Sequence, residues 1–292
     1  MRHVFRKLSF FIILLAGVVC FSASAPAGDK RNVLSVNGIS CFVGFDKNIV
    51  NLYDAGGEKI CEYRAGGGDC IIFSSCVSDL DADKMDEILM ITGRDNREYG
   101  EDLVILEPEA RAAGNGDEAK RGKAEGAPSL KEIYRYDMAE INPWKVQTCD
   151  VDGDGEKEIS IGVFKKARFH PVMAKRPFIY SLTDGCLSPK LLGSRLSRPF
   201  TDYIFSDINS DGKDELIAIE YLADGRKAVN TYSWKGFGFE GSGESGSYED
   251  ILSIKSCGPS PEGAPAVKAL VMLEGKPEWI TLYYKNGKLI EY

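Results

Sequence analysis

The stretch DVDGDGEKEISIGV, residues 150–163, decides the fold. Its first nine residues place side-chain oxygens at positions 1, 3, 5 and 9 and a glycine at position 6, and an apolar segment follows at once. Oxygens at alternating positions of a tight loop can converge on one cation, and glycine lets the backbone turn sharply with a positive φ. The stretch therefore predicts a metal-binding loop that leads directly into a β-strand.

The same pattern occurs twice more without gaps, as DLDADKMDE at residues 79–87 and DINSDGKDE at residues 207–215. Apolar segments follow both copies, ILMI at 88–91 and LIAI at 216–219. Lys84 stands where the other two loops have glycine, so we expect a strained or weaker site in the first loop. A single acidic loop would fit a solvated turn, but three in register, each before a strand, predict calcium binding by at least two of them.

The position of the last acid separates two families of calcium loop. An EF-hand also begins D-x-D-x-D-G but needs a bidentate glutamate at position 12, where this chain has Met90, Ile161 and Ala218. An acid at position 9 followed by a strand instead resembles the loops of the FG-GAP family (VCBS-type repeats), which builds the β-propeller of integrin α-subunit heads and many bacterial exported proteins. Two features depart from that family, a glutamate at position 9 in all three loops and the lack of a Phe-Gly…Gly-Ala-Pro signature before them.

The resemblance implies a cofactor and its ligands. It implies two to three bound Ca²⁺ ions and a backbone carbonyl ligand at position 7, from Met85, Glu156 and Lys213. The implied side-chain ligands are Asp79, Asp81, Asp83 and Glu87 in the first loop, Asp150, Asp152, Asp154 and Glu158 in the second, and Asp207, Asn209, Asp211 and Glu215 in the third. Because only the second and third loops have their glycine, we expect mutation of Asp152 and Asp154 to cost more stability than mutation of Asp79 and Asp81.

The spacing of the loops gives the length of the repeat. Their first ligands lie 71 and 57 residues apart. Residues 107–130 are charged and rich in Gly and Ala and cannot bury much surface, so we expect a mobile insertion near residues 108–129. Removing roughly 22 residues from the first interval leaves a repeat of about 50.

Two further segments continue the repeat without acids. Residues 248–273 hold two apolar runs around a loop rich in Gly and Pro, and residues 33–63 hold short β-rich runs separated by turn signals. About 265 residues at about 53 per unit give five units of four short strands, which is the sequence signature of a β-propeller. We therefore expect an all-β, five-bladed propeller, with four blades as the alternative, and blades near residues 30–68, 69–140, 141–199, 200–247 and 248–292.

The N-terminal residues have the layout of a secretory signal peptide. Arg2, Arg6 and Lys7 precede fourteen uncharged residues, 8–21, and small residues follow. Fourteen helical residues cover about 21 Å, short of the roughly 30 Å hydrocarbon core of a bilayer. We expect cleavage after Ala27, which leaves one exported domain over residues 28–292 that is secreted, periplasmic or at the cell surface. Lipidation at Cys20 is the alternative.

Seven cysteines follow the expected cleavage site, an odd number without a CxxC spacing. Cys76, Cys149 and Cys257 recur near the same point of the repeat. That recurrence favours buried small hydrophobic side chains over disulfides. The spacing alone specifies no disulfide pairing.

The charge balance bears on the partner. The chain has 36 basic and 44 acidic residues, a net charge of −8 that becomes −11 without the leader, and this argues against nucleic-acid binding. Residues 165–198, by contrast, carry eight Lys or Arg and one Asp, interleaved with aromatic residues and prolines. They predict a site for an anionic polymer or acidic peptide, unless they neutralise the acidic loops of neighbouring blades or are solvated. The candidate ligand-binding residues are Lys165, Lys166, Arg168, His170, Lys175, Arg176, Arg195 and Arg198.

Catalytic signatures are missing from the sequence. His170 is the single histidine after the leader, and no P-loop, GxGxxG or HExxH occurs. We assign no catalytic residue and expect an exported calcium-binding FG-GAP repeat protein that acts as a binding or interaction module at the cell envelope. Its partner would be a protein or an anionic glycan or polymer, with membrane contact only through the leader or a lipid on Cys20. The alternative is a propeller lyase or hydrolase of acidic polysaccharide, with arginines holding substrate carboxylates and a carboxylate, a tyrosine or His170 as base.

Overall fold

Twenty β-strands make up about two thirds of the described chain. The computed structural model describes residues 33–36, 39–109, 128–193, 195–257 and 265–291, which belong to one compact unit. The expected leader and cleavage site, Cys20, and most of the expected insertion near residues 108–129 lie outside these residues. Within them the helical content is a single 3-10 turn, Ala139–Ile141.

The strands form five antiparallel sets of four, each connected in simple up-and-down order. Blade 1 contains β1 (Val33–Val36), β2 (Ile39–Asp46), β3 (Ile49–Tyr53) and β4 (Lys59–Arg64). Blade 2 contains β5 (Cys70–Ser78), β6 (Glu87–Arg94), β7 (Asp102–Glu109) and β8 (Ser129–Asp137). Blade 3 contains β9 (Pro143–Cys149), β10 (Glu158–Ala167), β11 (His170–Thr183) and β12 (Cys186–Leu192). Blade 4 contains β13 (Phe200–Ser206), β14 (Glu215–Tyr221), β15 (Lys227–Trp234) and β16 (Phe239–Tyr248), and blade 5 contains β17 (Asp250–Cys257), β18 (Ala266–Leu273), β19 (Lys276–Lys285) and β20 (Lys288–Glu291).

The first strand of each blade lies beside the first strand of the next, β1 with β5, β5 with β9, β9 with β13, and β13 with β17. This is the arrangement of a propeller, and it confirms the all-β fold of five four-stranded blades. One feature differs from separate blades. The outer strands β16 and β20 meet in parallel at Glu244 and Lys288, which joins blades 4 and 5 into one eight-stranded sheet.

The second strand of a blade supplies more of the core than any other strand. In β6, Ile88 and Met90 pack toward blade 1, whereas Leu89 and Ile91 pack toward blade 3. Alternate side chains of a strand point to opposite faces, so a strand that is buried on both faces reads as a continuous apolar run. The ILMI and LIAI segments therefore each pack against the blades on both sides, whereas the three apolar side chains of ISIGV all pack toward blade 2.

The seven cysteines after residue 27 are all described, and all are free thiols. Cys149 is fully buried and Cys76 is half-buried, in line with small apolar side chains. Burial raises the pKa of the Cys76 thiol to about 12, so it is protonated and unreactive at neutral pH. In the described part of the chain no helix is long and apolar enough to cross a membrane.

Glu220, on β14, is a fully buried carboxylate. It accepts hydrogen bonds from the Tyr232 hydroxyl at 2.5 Å and from Asn230 Nδ2 at 2.9 Å, and Arg198 lies 3.8 Å away. Burial raises the pKa of Glu220 above its usual range, and these partners only partly oppose that effect. Folding therefore favours the protonated acid.

This shift predicts a pH dependence of stability. Because the folded-state pKa is raised, the stability that Glu220 contributes is fully present below the unfolded pKa of about 4.5 and is lost as the pH rises through the folded pKa. We expect Glu220→Gln to become progressively more stable relative to the unmutated protein as the pH is raised above about 4.5, in urea unfolding at each pH. Glu278→Gln, which removes an exposed carboxylate of β19, is the control. A Glu220→Gln difference that stays constant over this range would contradict the assignment.

Candidate functional site

Each of the three acidic loops joins the first strand of a blade to its second strand. The loops connect β5 to β6, β9 to β10 and β13 to β14, so they lie at the same end of blades 2, 3 and 4. The second and third loops also contact each other. A Cβ on Gly153 would lie 2.9 Å from Lys213 Cγ and 3.0 Å from the Gly212 carbonyl oxygen. These two acidic loops therefore form one continuous surface at this end of the propeller.

The loops share one hydrogen-bonding scheme. The glutamate at position 9 accepts a bond from the backbone N–H of position 2, at 2.8, 3.1 and 3.2 Å in the three loops. The aspartate at position 1 accepts a bond from the N–H of position 6, at 3.0 Å in each loop. The aspartate at position 5 accepts a bond from the N–H of position 7, at 2.7, 2.9 and 2.9 Å. The carboxylates thus satisfy the backbone donors of the turn as well as facing one another.

The backbone has a positive φ at two positions of every loop. At position 6 the φ angles are 73° for Lys84, 88° for Gly155 and 84° for Gly212. The strain expected at Lys84 is therefore present, since this conformation disfavours a residue with a Cβ. Position 4 also has a positive φ, at Ala82, Gly153 and Ser210, which the sequence pattern did not indicate.

Position 6 supports a paired mutational prediction. We expect Lys84→Gly to raise the free energy of unfolding by about 1 kcal/mol, because it removes the cost of a left-handed backbone. Gly212→Ala should lower it by about 1 kcal/mol, since nothing lies within 4 Å of the added Cβ and only the backbone conformation is affected. Urea unfolding measures both changes. A loss of stability in Lys84→Gly would contradict this reading of the loop.

Two of the loops bring three carboxylates together. Single oxygens of Asp79, Asp81 and Glu87 all lie within 4.8 Å of one another, and those of Asp150, Asp152 and Glu158 do the same. In each cluster one oxygen, Asp79 Oδ1 or Asp152 Oδ1, is buried without a hydrogen-bond partner. These two groups could hold a metal ion, because hard cations prefer carboxylate oxygens.

In the first cluster, burial and repulsion between neighbouring carboxylates disfavour the ionised form of Glu87, as expected for a site that lacks a bound cation. Burial raises the pKa of Glu87 to about 7, and the nearby carboxylates of Asp81, Asp83 and Asp79 raise it further. The backbone N–H of Leu80 is the opposing influence. No described cation within ion-pairing distance neutralises this cluster.

The position-5 aspartates, Asp83 and Asp154, are not members of these clusters. Each directs an oxygen at the N–H two residues ahead. The structure therefore brings together positions 1, 3 and 9 of the predicted ligand set and uses position 5 to close the turn.

The third loop is organised differently. Asn209 Nδ2 donates to Glu215 Oε1 at 2.8 Å and to Asp211 Oδ2 at 3.2 Å. The Asn209 amide hydrogens thus occupy oxygens that a cation would need. Burial raises the pKa of Glu215 to about 7, an effect that the backbone N–H of Ile208 only partly opposes. Of the three loops, this one is the least prepared for a metal.

A lysine enters the second cluster. Lys190, on β12 of the same blade, places its ammonium 2.5 Å from Asp152 Oδ2 and in direct contact with Glu158 Oε1. Burial raises the pKa of Glu158, and the contact with Lys190 opposes that effect. Sequence reasoning assigned Lys190 to the basic segment without this partner, because 38 and 32 residues separate it from the two acids.

Position 8 of the loops, which carried no prediction, connects neighbouring blades. Asp86 Oδ2 accepts a bond from the Ser35 N–H of blade 1 at 2.8 Å, and Asp214 Oδ2 accepts one from the Asp150 N–H of blade 3 at 2.8 Å. Both aspartates also donate their own N–H to the same partner residue's carbonyl. The second loop has Lys157 at this position. The recurrence of Asp at position 8 in the first and third loops was the feature of the sequence that could have indicated these contacts between blades.

Two residues of the predicted basic segment already have partners within the protein. Arg176 is fully buried and bonds to the carbonyl oxygens of Lys165, His170 and Val172, so it holds its own hairpin together. It also lies 3.1 Å from His170 Nδ1, and since guanidinium only donates, that nitrogen is the acceptor. Arg198 pairs with Glu244 at 2.7 Å. The segment's remaining candidates lie on β10, in the turn between β10 and β11, on β11 and in the loop before β13: Lys165, Lys166, Arg168, Lys175 and Arg195.

Comparisons with known proteins add little. No family model matches the chain, and no curated protein sequence matches it. The chain is similar in structure to a protein of Bacteroides uniformis that is provisionally assigned as a 6-phosphogluconolactonase, with a TM-score of 0.46 and 12% sequence identity, over 88% of this chain and 68% of that one. A similarity at this level carries no argument about function.

Proposed function

We propose that this chain is an exported calcium-binding repeat protein of the FG-GAP type, in which the metal stabilises a propeller that acts as a binding or interaction module at the cell envelope. The observation that carries the proposal is the pair of three-carboxylate clusters, each with a buried oxygen that has no hydrogen-bond partner. Such an oxygen is costly unless something binds it. A divalent cation would satisfy it and offset the repulsion among the three acids.

Calcium fits the clusters better than a transition metal. The ligands are carboxylate oxygens on short irregular loops, and none of the described cysteines or His170 belongs to either cluster. Hard oxygen ligands in a flexible loop suit Ca²⁺, whereas Zn²⁺ sites use thiolate and imidazole. The role would be mainly structural, because the loops connect the strands that hold neighbouring blades together.

The alternative function, a lyase or hydrolase of acidic polysaccharide, has less support. It requires arginines that are free to hold substrate carboxylates. Of the basic segment's four arginines, Arg176 is fully buried in its own hairpin and Arg198 is paired with Glu244, which leaves Arg168 and Arg195 for that role. His170 is tied to Arg176 through Nδ1. A binding module needs none of these side chains to be free.

Thermal unfolding with and without calcium tests the proposal. We expect excess EDTA to lower the Tm and calcium to restore it, since a ligand at 100-fold its Kd adds about 2.7 kcal/mol per site to the folded state. Asp79→Asn should remove the part of the calcium response that the first loop supplies. Glu278→Gln removes one exposed charge outside the loops and should respond as the unmutated protein does. A Tm that neither EDTA nor calcium changes would overturn the proposal.

The contacts of Lys190 indicate how the two clusters should differ in their response to calcium. The glycine of the second loop favours that site, but the Lys190 ammonium must leave Asp152 and Glu158 before a cation can bind there. We expect Lys190→Met to lower the Tm in EDTA, because it leaves Glu158 buried and unpaired, and to enlarge the rise in Tm on adding calcium.

The control for this prediction is Lys166→Met, which removes an exposed lysine of the same blade. Combining Lys190→Met with Asp152→Asn should abolish the enlarged calcium response. If Lys190→Met and the unmutated protein gain the same Tm from calcium, the ammonium does not compete with a cation at the second loop.

A further inference from the structure

A pocket of about 470 Å³ opens at the end of the first strands that lies away from the acidic loops. Trp144 and Lys145 from β9, Thr201 and Asp202 from β13, and Ile251 and Leu252 from β17 line it. All six are at or near the beginning of their strands, whereas the acidic loops follow the last residues of β9 and β13. The pocket is therefore separate from the candidate metal clusters.

Three lysines from different strands converge on this pocket, Lys145 from β9, Lys175 from β11 and Lys227 from β15. Two of them have carboxylate partners. Lys145 Nζ lies 2.5 Å from Asp202 Oδ1, and Lys227 Nζ lies 2.5 Å from Asp250 Oδ1. In each pair the carboxylate neutralises the charge of its lysine.

Lys175 is the cation left over. Its ammonium donates to the Thr201 carbonyl oxygen at 2.6 Å and lies 4.1 Å from the centre of the Trp144 ring. Among the described residues no carboxylate lies within ion-pairing distance of it. The pocket thus carries a net charge of about +1 at neutral pH, inside a protein whose overall charge is negative.

The environment of Lys175 makes this charge costly. Burial lowers the pKa of Lys175, and Lys145 and Lys227 lower it further, while Asp202 acts in the opposite direction. A cation that is partly removed from water and faces two other ammonium groups is stabilised by an anion that supplies the missing counter-charge. The half-buried Lys175 side chain is held in place by Thr201 and Trp144, so little side-chain ordering would be needed on binding.

We propose that the pocket binds a small organic anion, whose carboxylate or phosphate group contacts Lys175 between Lys145 and Lys227 while an apolar part of the ligand lies against Trp144 and Leu252. The volume is within the range of small-molecule sites, and the mixture of an apolar wall with a few charged groups is typical of them. The proposal does not depend on calcium, because none of these residues belongs to an acidic loop.

Isothermal titration calorimetry tests it in a buffer freed of divalent cations by a chelating resin, so that no EDTA competes for the pocket, with sodium glucuronate, inorganic phosphate and glucose as probes. We expect saturable binding of at least one of the two anions and none of glucose, which has the sugar ring without the carboxylate. Glucuronate alone would identify a carboxylate site, and phosphate alone a phosphate site. Binding should weaken as NaCl is raised. No saturable binding of either anion, or equal binding of glucose, would overturn the proposal.

Two variants localise the binding. Lys175→Gln should weaken it at least about ten-fold, since it removes a charge-assisted contact. Leu252→Glu places a carboxylate at the pocket and should also weaken it, and because Leu252 is half exposed this variant should fold. Lys276→Gln, on the exposed β19, should bind as the unmutated protein does. Unchanged affinity in a folded Lys175→Gln or Leu252→Glu variant would place the anion elsewhere. Because calcium is absent throughout, failure of the calcium proposal would leave this result unaffected.

Discussion

Carboxylate oxygens that accept hydrogen bonds from the backbone of their own loop are the interaction on which one end of this propeller depends. The same three bonds occur in all three loops and fix the turn from a first strand to a second strand. A turn this tight forces a positive φ at two positions and crowds three acids together. The oxygens left over after the backbone is satisfied are the reason to expect a cation.

The repeated loop also explains how much could be predicted. The ligand spacing, the following apolar strand and the position-6 conformation are local, because each depends on contacts within nine residues of sequence. The period then gave five four-stranded blades. Lys84 shows the strength of such reasoning, since a single departure from glycine correctly indicated a left-handed residue that carries a side chain.

The contacts that the sequence did not predict join residues that are far apart in the chain. Lys190, on β12, contacts Asp152 in the loop between β9 and β10. Asp214 of blade 4 bonds to Asp150 of blade 3. The three pocket lysines come from two blades. The clustering of basic residues between 165 and 198 indicated Lys175, which lines the pocket, but not Lys145 and Lys227, which line it too. Successive strands alternate direction, so neighbours in sequence separate to opposite ends of a blade, as Lys175 and Lys190 do.

The two ends of the first strands therefore carry opposite chemistry. One end has acidic loops that stabilise the connections between blades, and the other has a pocket with an uncompensated ammonium. The central claim, that the acidic loops hold calcium, is tested most directly by a crystal structure of the protein grown with CaCl₂. The account predicts an ion about 2.3–2.6 Å from Asp79 Oδ1 and from oxygens of Asp81 and Glu87. Ordered loops of the same conformation with no ion at Asp79 or Asp152 would contradict it.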